Sequence, residues 1–207
     1  MSATERKHPG LNFGSLDRET HEEAEEVVFG FWVFLMSDLV LFSLLFATYA
    51  TMLGHEAGGP GPAKLYDIHS AAIETGALLT SSFTFGMASL AMKYSHRLSV
   101  VLLWLGITLV LGLTFLGFEI NDFITMIGKG GAPSRSGFVS AFFALVGTHG
   151  LHVTFGSIWI IVMMVQLVVF GRLGIVKTRL LRLALFWHFL DIVWVGIFSL
   201  VYLQGLA

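Results

Sequence analysis

Long apolar runs without charged residues dominate the chain after its polar N-terminal stretch. No Asp, Glu, Lys or Arg occurs from Leu98 to Phe118 or from Phe138 to Phe170. Uncharged apolar runs of about 18 or more residues are typical of helices that cross a lipid bilayer. The pattern predicts an all-α membrane protein, a bundle of five transmembrane helices at about 27–53, 69–92, 98–118, 138–170 and 180–204.

Polar and helix-breaking segments separate these runs. Segments 55–62 and 128–137 are rich in glycine and proline, which end helices. Segment 93–97 is a short polar turn, so the second and third helices are expected to be antiparallel neighbours. The fourth run is long: at ~1.5 Å per residue it exceeds a hydrocarbon core of ~30 Å, so this helix must tilt or protrude.

The first 26 residues differ in character from the rest. They are polar and include an acidic run at Glu19, Glu22, Glu23, Glu25 and Glu26. A secretory signal peptide would begin basic and turn apolar within a few residues. The sequence therefore predicts a solvated cytoplasmic arm over residues 1–26, followed by a five-helix transmembrane domain over residues 27–207.

The distribution of basic residues predicts the orientation of the bundle. Lys and Arg in short loops favour the cytoplasmic side of a membrane. Nine of the twelve basic residues lie on the side of the N-terminus, and three lie on the other side. We therefore expect a cytoplasmic N-terminus and a periplasmic C-terminus. The three on the other side are Lys64, Lys129 and Arg135.

Composition supports the membrane assignment and narrows the chemistry. Apolar residues make up 55% of the chain, the mean hydropathy is +0.78 and 13% of residues are charged, whereas about 25% are charged in a typical soluble domain. The chain has no cysteine, which excludes disulfides, iron–sulfur clusters and cysteine nucleophiles. A net charge of −2 does not suggest a nucleic-acid partner.

One row of small residues on the second helix predicts a packing seam. Its members recur at every fourth position, and small side chains allow two membrane helices to approach closely. They are Ala72, Gly76, Thr80, Thr84 and Ala88.

Ionisable side chains inside the predicted spans are the candidate functional residues, because such groups are costly in a membrane. Asp38 is either a proton site or lipid contact, or a buried acid bonded to another helix. Glu74 is either a proton-active carboxyl or an interhelical hydrogen-bonding group. The full set is Asp38, Glu74, His149, His152, His188 and Asp191.

The histidines do not form an obvious metal site. His149 and His152 share one face of a helix, but metal sites need three or four ligands. Only His188 lies well inside another span, so we interpret the pair as bonding across helices. His188 and Asp191 are three residues apart, which predicts a local His–Asp hydrogen bond, with a proton relay as the alternative.

Four segments of the chain resemble subunit III of the haem–copper respiratory oxidases. They appear in the family's order, and the blocks Thr-His-Gly-Leu-His and Trp-His-Phe-Leu-Asp are the most specific. A five-helix chain of this length resembles the version found in bacterial bo-type ubiquinol oxidases more than the seven-helix version of cytochrome c oxidases. The four segments are 30–38, 74–83, 142–152 and 187–194.

The resemblance implies an accessory role without catalysis by this chain alone. Subunit III carries no haem or copper, packs against the catalytic subunit I beside subunits II and IV, binds membrane phospholipids and supports proton uptake. The whole complex would oxidise quinol, reduce oxygen to water and pump protons across the bacterial cytoplasmic membrane. The family also has a carbodiimide-reactive acid, for which Asp67 and Glu74 are both candidates.

Two other functions remain open from the residues alone. The chain could be an independent proton-coupled transporter, although an odd number of spans argues against the inverted repeats of many transporters. It could also be a membrane haem protein, although its histidines do not form a complete ligand set. Subunit III of a cytochrome c oxidase is the alternative within the family.

Overall fold

The computed structural model describes residues 18–56, 61–94, 97–171 and 174–204. These residues form long helices joined by short connections, and no strand occurs among them. Most of the predicted arm, residues 1–17, lies outside the described residues. The helices are α1 (Arg18–Met52), α2 (Pro62–Leu65), α3 (Ile68–Tyr94), α4 (Leu98–Gly128), α5 (Gly137–Phe170) and α6 (Gly174–Ile197), the last continued by a π-helical segment (Phe198–Leu203).

The all-α architecture is confirmed over the described residues, and the length and composition of these helices suit a membrane. Over the described residues, four segments are long and apolar enough to cross a bilayer: Glu25–Met52, Leu98–Gly128, Gly137–Phe170 and Ile175–Leu203. The fifth long helix, α3, has 27 residues and would reach ~40 Å at ~1.5 Å per residue. It is less apolar than the other four because serine, threonine and glycine occupy many of its positions.

Contacts between side chains show that neighbouring long helices run antiparallel. Ser70, near the start of α3, bonds Asp122 near the end of α4. Thr84 and Thr108 join the middles of the same two helices at 2.8 Å between hydroxyl oxygens. Trp194 and Thr75 show the same relation between the end of α6 and the start of α3.

The predicted boundary of the third span is wrong. That span was ended at Phe118, ahead of two acids, but α4 continues to Gly128. The buried stripe of α4 also continues through the acids, because its members alternate at spacings of four and three, the pattern of one helix face. The stripe is Val101, Leu105, Thr108, Gly112, Phe115, Glu119, Asp122 and Met126.

Two other helices begin earlier than predicted. The helix α1 begins at Arg18, so the described part of the predicted polar arm is helical. The helix α6 begins at Gly174 rather than near residue 180, and so includes the basic residues Lys177 and Arg179. In both cases the helix is longer than its apolar run, because polar residues extend the helix beyond the hydrocarbon core.

Two indole side chains connect α6 to α3. Trp187 Nε1 donates a hydrogen bond to Ser81 Oγ at 3.0 Å, and Trp194 Nε1 donates to Thr75 Oγ1 at 3.0 Å. Both indoles are buried, with 1% of their surface exposed. Hydrogen bonding satisfies the N–H groups, so the large rings can fill the core without leaving a buried polar group unpaired.

Glycines on two helices make room for one of these rings. A Cβ atom at Gly112 of α4 would lie 2.8 Å from Trp187 Cη2, and one at Gly156 of α5 would lie 3.1 Å from Trp187 Cζ3. Trp187 is therefore inserted between α4 and α5 where neither helix has a side chain.

Only part of the predicted packing seam on α3 is buried within this chain. Thr84 and Ala88 are buried, but Ala72, Gly76 and Thr80 are exposed. Four residues turn a helix by ~400°, so a strict four-residue row rotates ~40° at each step and leaves the packed face. The observed buried face alternates three and four: Ala71, Glu74, Leu78, Ser81, Phe85, Ala88 and Met92.

This distinction predicts opposite results for two similar substitutions on α3. Ala88→Leu should destabilise the chain by ~1–3 kcal/mol, because it inserts three carbons into a fully packed site. Gly76→Leu should leave the chain's own stability nearly unchanged, since nothing lies within 4 Å of its Cβ position. Thermal denaturation of both variants in detergent measures the difference, and equal losses would contradict the observed packing face.

Candidate functional site

The structure brings Asp38 and His152 together from α1 and α5. His152 Nε2 lies 3.6 Å from Asp38 Oδ2, and the side chains are 23% and 16% exposed. His152 Nδ1 lies 2.7 Å from the carbonyl oxygen of Thr148, and since a carbonyl only accepts, Nδ1 is the donor. Nε2 therefore faces the carboxyl group of Asp38.

Aromatic side chains surround this pair and form a groove on the outside of the bundle. Its volume is about 500 Å³. Phe31 and Trp159 meet edge to face at 5.8 Å between ring centroids. The groove thus combines one polar pair with long apolar walls, a combination suited to an amphipathic molecule. The lining residues are Phe31, Phe34, Asp38, Leu151, His152, Phe155, Trp159 and Phe186.

His149 does not bond across helices as predicted. It is fully buried, and neither ring nitrogen has a hydrogen-bond partner among the described residues. Its ring stacks on Trp194 at 5.2 Å and meets Phe115 edge to face at 5.7 Å. The three-residue spacing of His149 and His152 did not predict this difference. The two side chains lie on the same side of α5 but contact different neighbours.

The predicted pairing of His188 with Asp191 is present in the structure as a contact within ion-pair range. His188 Nδ1 lies 3.8 Å from Asp191 Oδ2, a distance within ion-pair range but too long for a hydrogen bond. The same nitrogen lies 2.6 Å from Ser82 Oγ of α3. The histidine therefore connects two helices. Trp187, Asp191 and Trp194 do share one buried face of α6.

A cluster of buried carboxyl groups was missed from the sequence. Glu74 of α3 and Glu119 and Asp122 of α4 are 1%, 3% and 9% exposed, and they lie within electrostatic range of one another. Ser70 Oγ donates to Asp122 Oδ1 at 2.9 Å. Glu119 and Asp122 lie beyond the predicted end of the third span at Phe118 and are absent from the predicted candidate residues. Their position three residues apart on the buried stripe of α4 was the available signal.

Three tyrosines lie at the same end of the bundle as the buried carboxyl groups. The hydroxyl groups of Tyr49 and Tyr66 lie 3.0 Å apart, and Tyr66 contacts Tyr202 at 5.1 Å between ring centroids. Tyr202 belongs to the π-helical segment after α6, is 2% exposed and lies within electrostatic range of all three carboxyls. Tyr202 is therefore part of the buried surroundings of the three carboxyls.

The described residues do not contain a group of three or more His, Cys, Asp or Glu side chains positioned to hold a metal ion. His149 is enclosed by aromatic rings and His152 faces an acid, so the two imidazoles do not converge on one point. The described residues thus form a bundle of long helices, four of them apolar enough to cross a membrane, with polar side chains buried between them.

Comparison with known proteins identifies the family. The family model for cytochrome c oxidase subunit III matches residues 16–206, so this chain belongs to the cytochrome c oxidase subunit III family. The chain is 46% identical over 185 residues to the cytochrome bo(3) ubiquinol oxidase subunit 3 of Pseudomonas aeruginosa, covering 89% of this chain and 88% of that protein.

Relatives in other bacteria have similar lengths and names. The cytochrome bo(3) ubiquinol oxidase subunit 3 of Pseudomonas putida is 49% identical over 185 residues, covering 89% of each chain. The quinol oxidase subunit 3 of Bacillus subtilis is 45% identical over 180 residues, covering 87% of this chain and 88% of that protein. The resemblance noted in the sequence is thereby confirmed.

Proposed function

We propose that this chain is the accessory subunit III of a proton-pumping terminal quinol oxidase in a bacterial cytoplasmic membrane. The observation that supports this proposal is sequence identity. The chain is 45–49% identical to proteins named as quinol oxidase subunit 3 over nearly their full length. Haem and copper would be held by the catalytic subunit I, and subunits II and IV would complete the complex. This chain would bind and support, and would not carry out the oxygen chemistry.

The electron donor is the first point to test. The family is named for cytochrome c oxidase, whereas the similar relatives are named for quinol. The assembly purified through a tag on this chain should consume oxygen with a short-chain ubiquinol as donor and should not oxidise reduced cytochrome c. Oxidation of cytochrome c without quinol oxidation would favour the alternative branch.

We assign the supporting role first to the groove around Asp38 and His152. Its aromatic walls can cover acyl chains of a phospholipid by burying apolar surface, and the acid–histidine pair offers a polar contact. A lipid held there would fill a space that would otherwise weaken contact between α1 and the rest of the complex. Support of proton uptake is assigned to the same pair, since both of its groups can carry protons.

The exposed part of the α3 row is a candidate contact with another subunit. Ala72, Gly76 and Thr80 lie on the outer surface of this chain, where small side chains would allow a partner helix to approach closely. If the row contacts subunit I, Gly76→Leu should leave this chain folded and reduce the amount of assembled complex.

We propose that all five long helices span the membrane. Although α3 is less apolar, α4 and α6 cover much of it and its buried hydroxyls bond to other helices. Five antiparallel spans place the two termini on opposite sides. Basic residues Lys93, Arg97, Lys177 and Arg179 then share the cytoplasmic end with the start of α1, as the distribution of Lys and Arg favours.

Reporter fusions test this topology. A reporter active only in the cytoplasm should be active at the N-terminus and inactive at the C-terminus, and a periplasmic reporter should give the reverse. A fusion in the segment between α3 and α4, at residue 96, should match the N-terminus. Activity of both terminal fusions on one side would contradict five spans.

A further inference from the structure

The buried carboxyls at the α2 end of the bundle are not explained by packing. Glu74 contributes two oxygens without a hydrogen-bond partner among the described residues, and Glu119 Oε1 and Asp122 Oδ2 are likewise unpartnered. Three neighbouring carboxylates would repel one another, and the four unpartnered oxygens would lose hydration without compensation. The cluster therefore needs something that removes negative charge.

The neighbouring helices supply little positive charge to do this. The charged groups acting on Glu74 are Asp122 and Glu119, both acids. Lys129 acts on Asp122, but it lies just after the last residue of α4 and is exposed. The other titratable neighbours are Asp67 and His69 at the start of α3, His149 on α5, Tyr49 on α1, Tyr66, and Tyr202 after α6.

The absence of a side chain at Gly150 makes room for the carboxyl group of Glu119. A Cβ atom at Gly150 of α5 would lie 2.5 Å from both carboxyl oxygens of Glu119. Glu119 thus points at the bare backbone of α5 and fills the space that a side chain would occupy. Glu74, with both oxygens unpartnered, approaches from a different helix and is not part of the α4 pair.

A pocket of about 310 Å³ leads from the surface to this group. Asp122 lines it, and so do the polar residues Asp67, Ser70, Asn121, Thr125 and Lys129. These hydroxyl, amide and carboxyl groups can hold ordered water. Water in the pocket would reach Asp122, whereas Glu74 and Glu119 do not line it.

We propose that Glu74, Glu119 and Asp122 form a proton-binding site, which holds protons on buried carboxyl groups and exchanges them with water through the pocket beside Asp122. On release, a carboxyl O–H bond breaks, its proton passes to water and the carboxylate keeps the electron pair; uptake is the reverse. Like-charged carboxyls sharing a site retain protons for the same reason in other proteins. In the proposed topology, this site faces the periplasmic end, away from Asp38.

Infrared spectroscopy tests the proposal on the full chain, in whatever assembly its tag retains. At neutral pH, the unaltered protein should show carbonyl-stretch bands of protonated carboxylic acids, and they should shift in D₂O. Glu74→Gln and Glu119→Gln should each remove intensity from these bands. The control Glu26→Gln changes an exposed acid and should remove none.

Further variants keep the test decisive if a glutamine variant does not fold. Glu74→Asp and Glu119→Asp keep the acid, and should shift the band instead of removing it. Thr125→Leu should slow the shift in D₂O by several-fold, because it fills the pocket.

Three results would overturn the proposal. One is a protein without protonated-carboxyl bands at neutral pH. Another is loss of intensity that is equal in Glu26→Gln and in the cluster variants. The third is a stoichiometric bound metal cation that is lost in Glu119→Gln, which would mean that a cation neutralises the cluster. The infrared bands report protonation of the carboxyl groups and do not depend on the electron donor. A negative infrared result would therefore reject the proton-binding site without rejecting the oxidase assignment.

Discussion

Gly112→Leu is expected to leave little stable chain in the membrane. A Cβ atom at this position would lie 2.8 Å from Trp187 Cη2 and 3.1 Å from Cζ2, and leucine adds three more carbons. Trp187 cannot easily move away, because it is buried and its Nε1 donates to Ser81 Oγ. Overpacking costs ~1–3 kcal/mol, and loss of the buried hydrogen bond adds ~1 kcal/mol.

Gly117→Leu is the matched control for this substitution. Gly117 lies on the same helix, is exposed, and has nothing within 4 Å of its Cβ position. Thermal loss of monodisperse protein in detergent compares the two variants. We expect a clearly lower transition temperature for Gly112→Leu alone, and equal transitions would contradict the insertion of Trp187 between α4 and α5.

Asp38→Asn is expected to give a complex with a normal initial rate that loses activity several-fold faster during turnover. Asparagine keeps the shape and a hydrogen-bonding amide but removes the carboxyl group that lies 3.6 Å from His152 Nε2. A molecule held in the aromatic groove would bind more weakly, so the complex would become less durable while its oxygen chemistry stays intact. Oxygen uptake recorded until activity decays separates rate from durability.

Glu26→Gln provides the control, because Glu26 is an exposed acid on the same helix and does not line the groove. A slow initial rate for Asp38→Asn, most evident at high pH, would indicate proton uptake as the role of this acid. Complete loss of activity in an assembled, haem-replete complex would contradict an accessory role.

Much of the fold could be predicted because a bilayer imposes length and apolarity on each helix. The start of α4 at Leu98 and the whole of α5 were predicted to within about a residue. The end of α4 was not, because hydropathy treats Glu119 and Asp122 as the edge of a span. Their burial depends on Glu74, Ser70 and Gly150 from other helices, and hydropathy of one segment carries no information about those neighbours.

The candidate site shows the same limit. Periodicity correctly placed Trp187, Asp191 and Trp194 on one face, because helix geometry alone fixes that relation. It could not show that Asp38 faces His152, since the two residues lie on α1 and α5. Nor could it show that His188 prefers Ser82 of α3 to Asp191 on its own helix.

The row of small residues at every fourth position of α3 does not form one packing face, for a geometrical reason. A row of small residues is a sign of close packing only where it stays on one face, and this row turns away from α4 within two steps of its buried end. Counting in alternating threes and fours would have selected Ala71, Leu78 and Phe85, which are buried. The exposed members remain the proposed contact with another subunit.

The visible spectrum of the material that co-purifies with this chain tests the central claim most directly. Mild detergent and a tag on this chain should retain haem–copper partners, and the chain released from them should be colourless. That result would agree with a subunit that supports a redox centre without holding one. A chain that purifies alone, or that keeps stoichiometric haem after its partners are removed, would contradict the account.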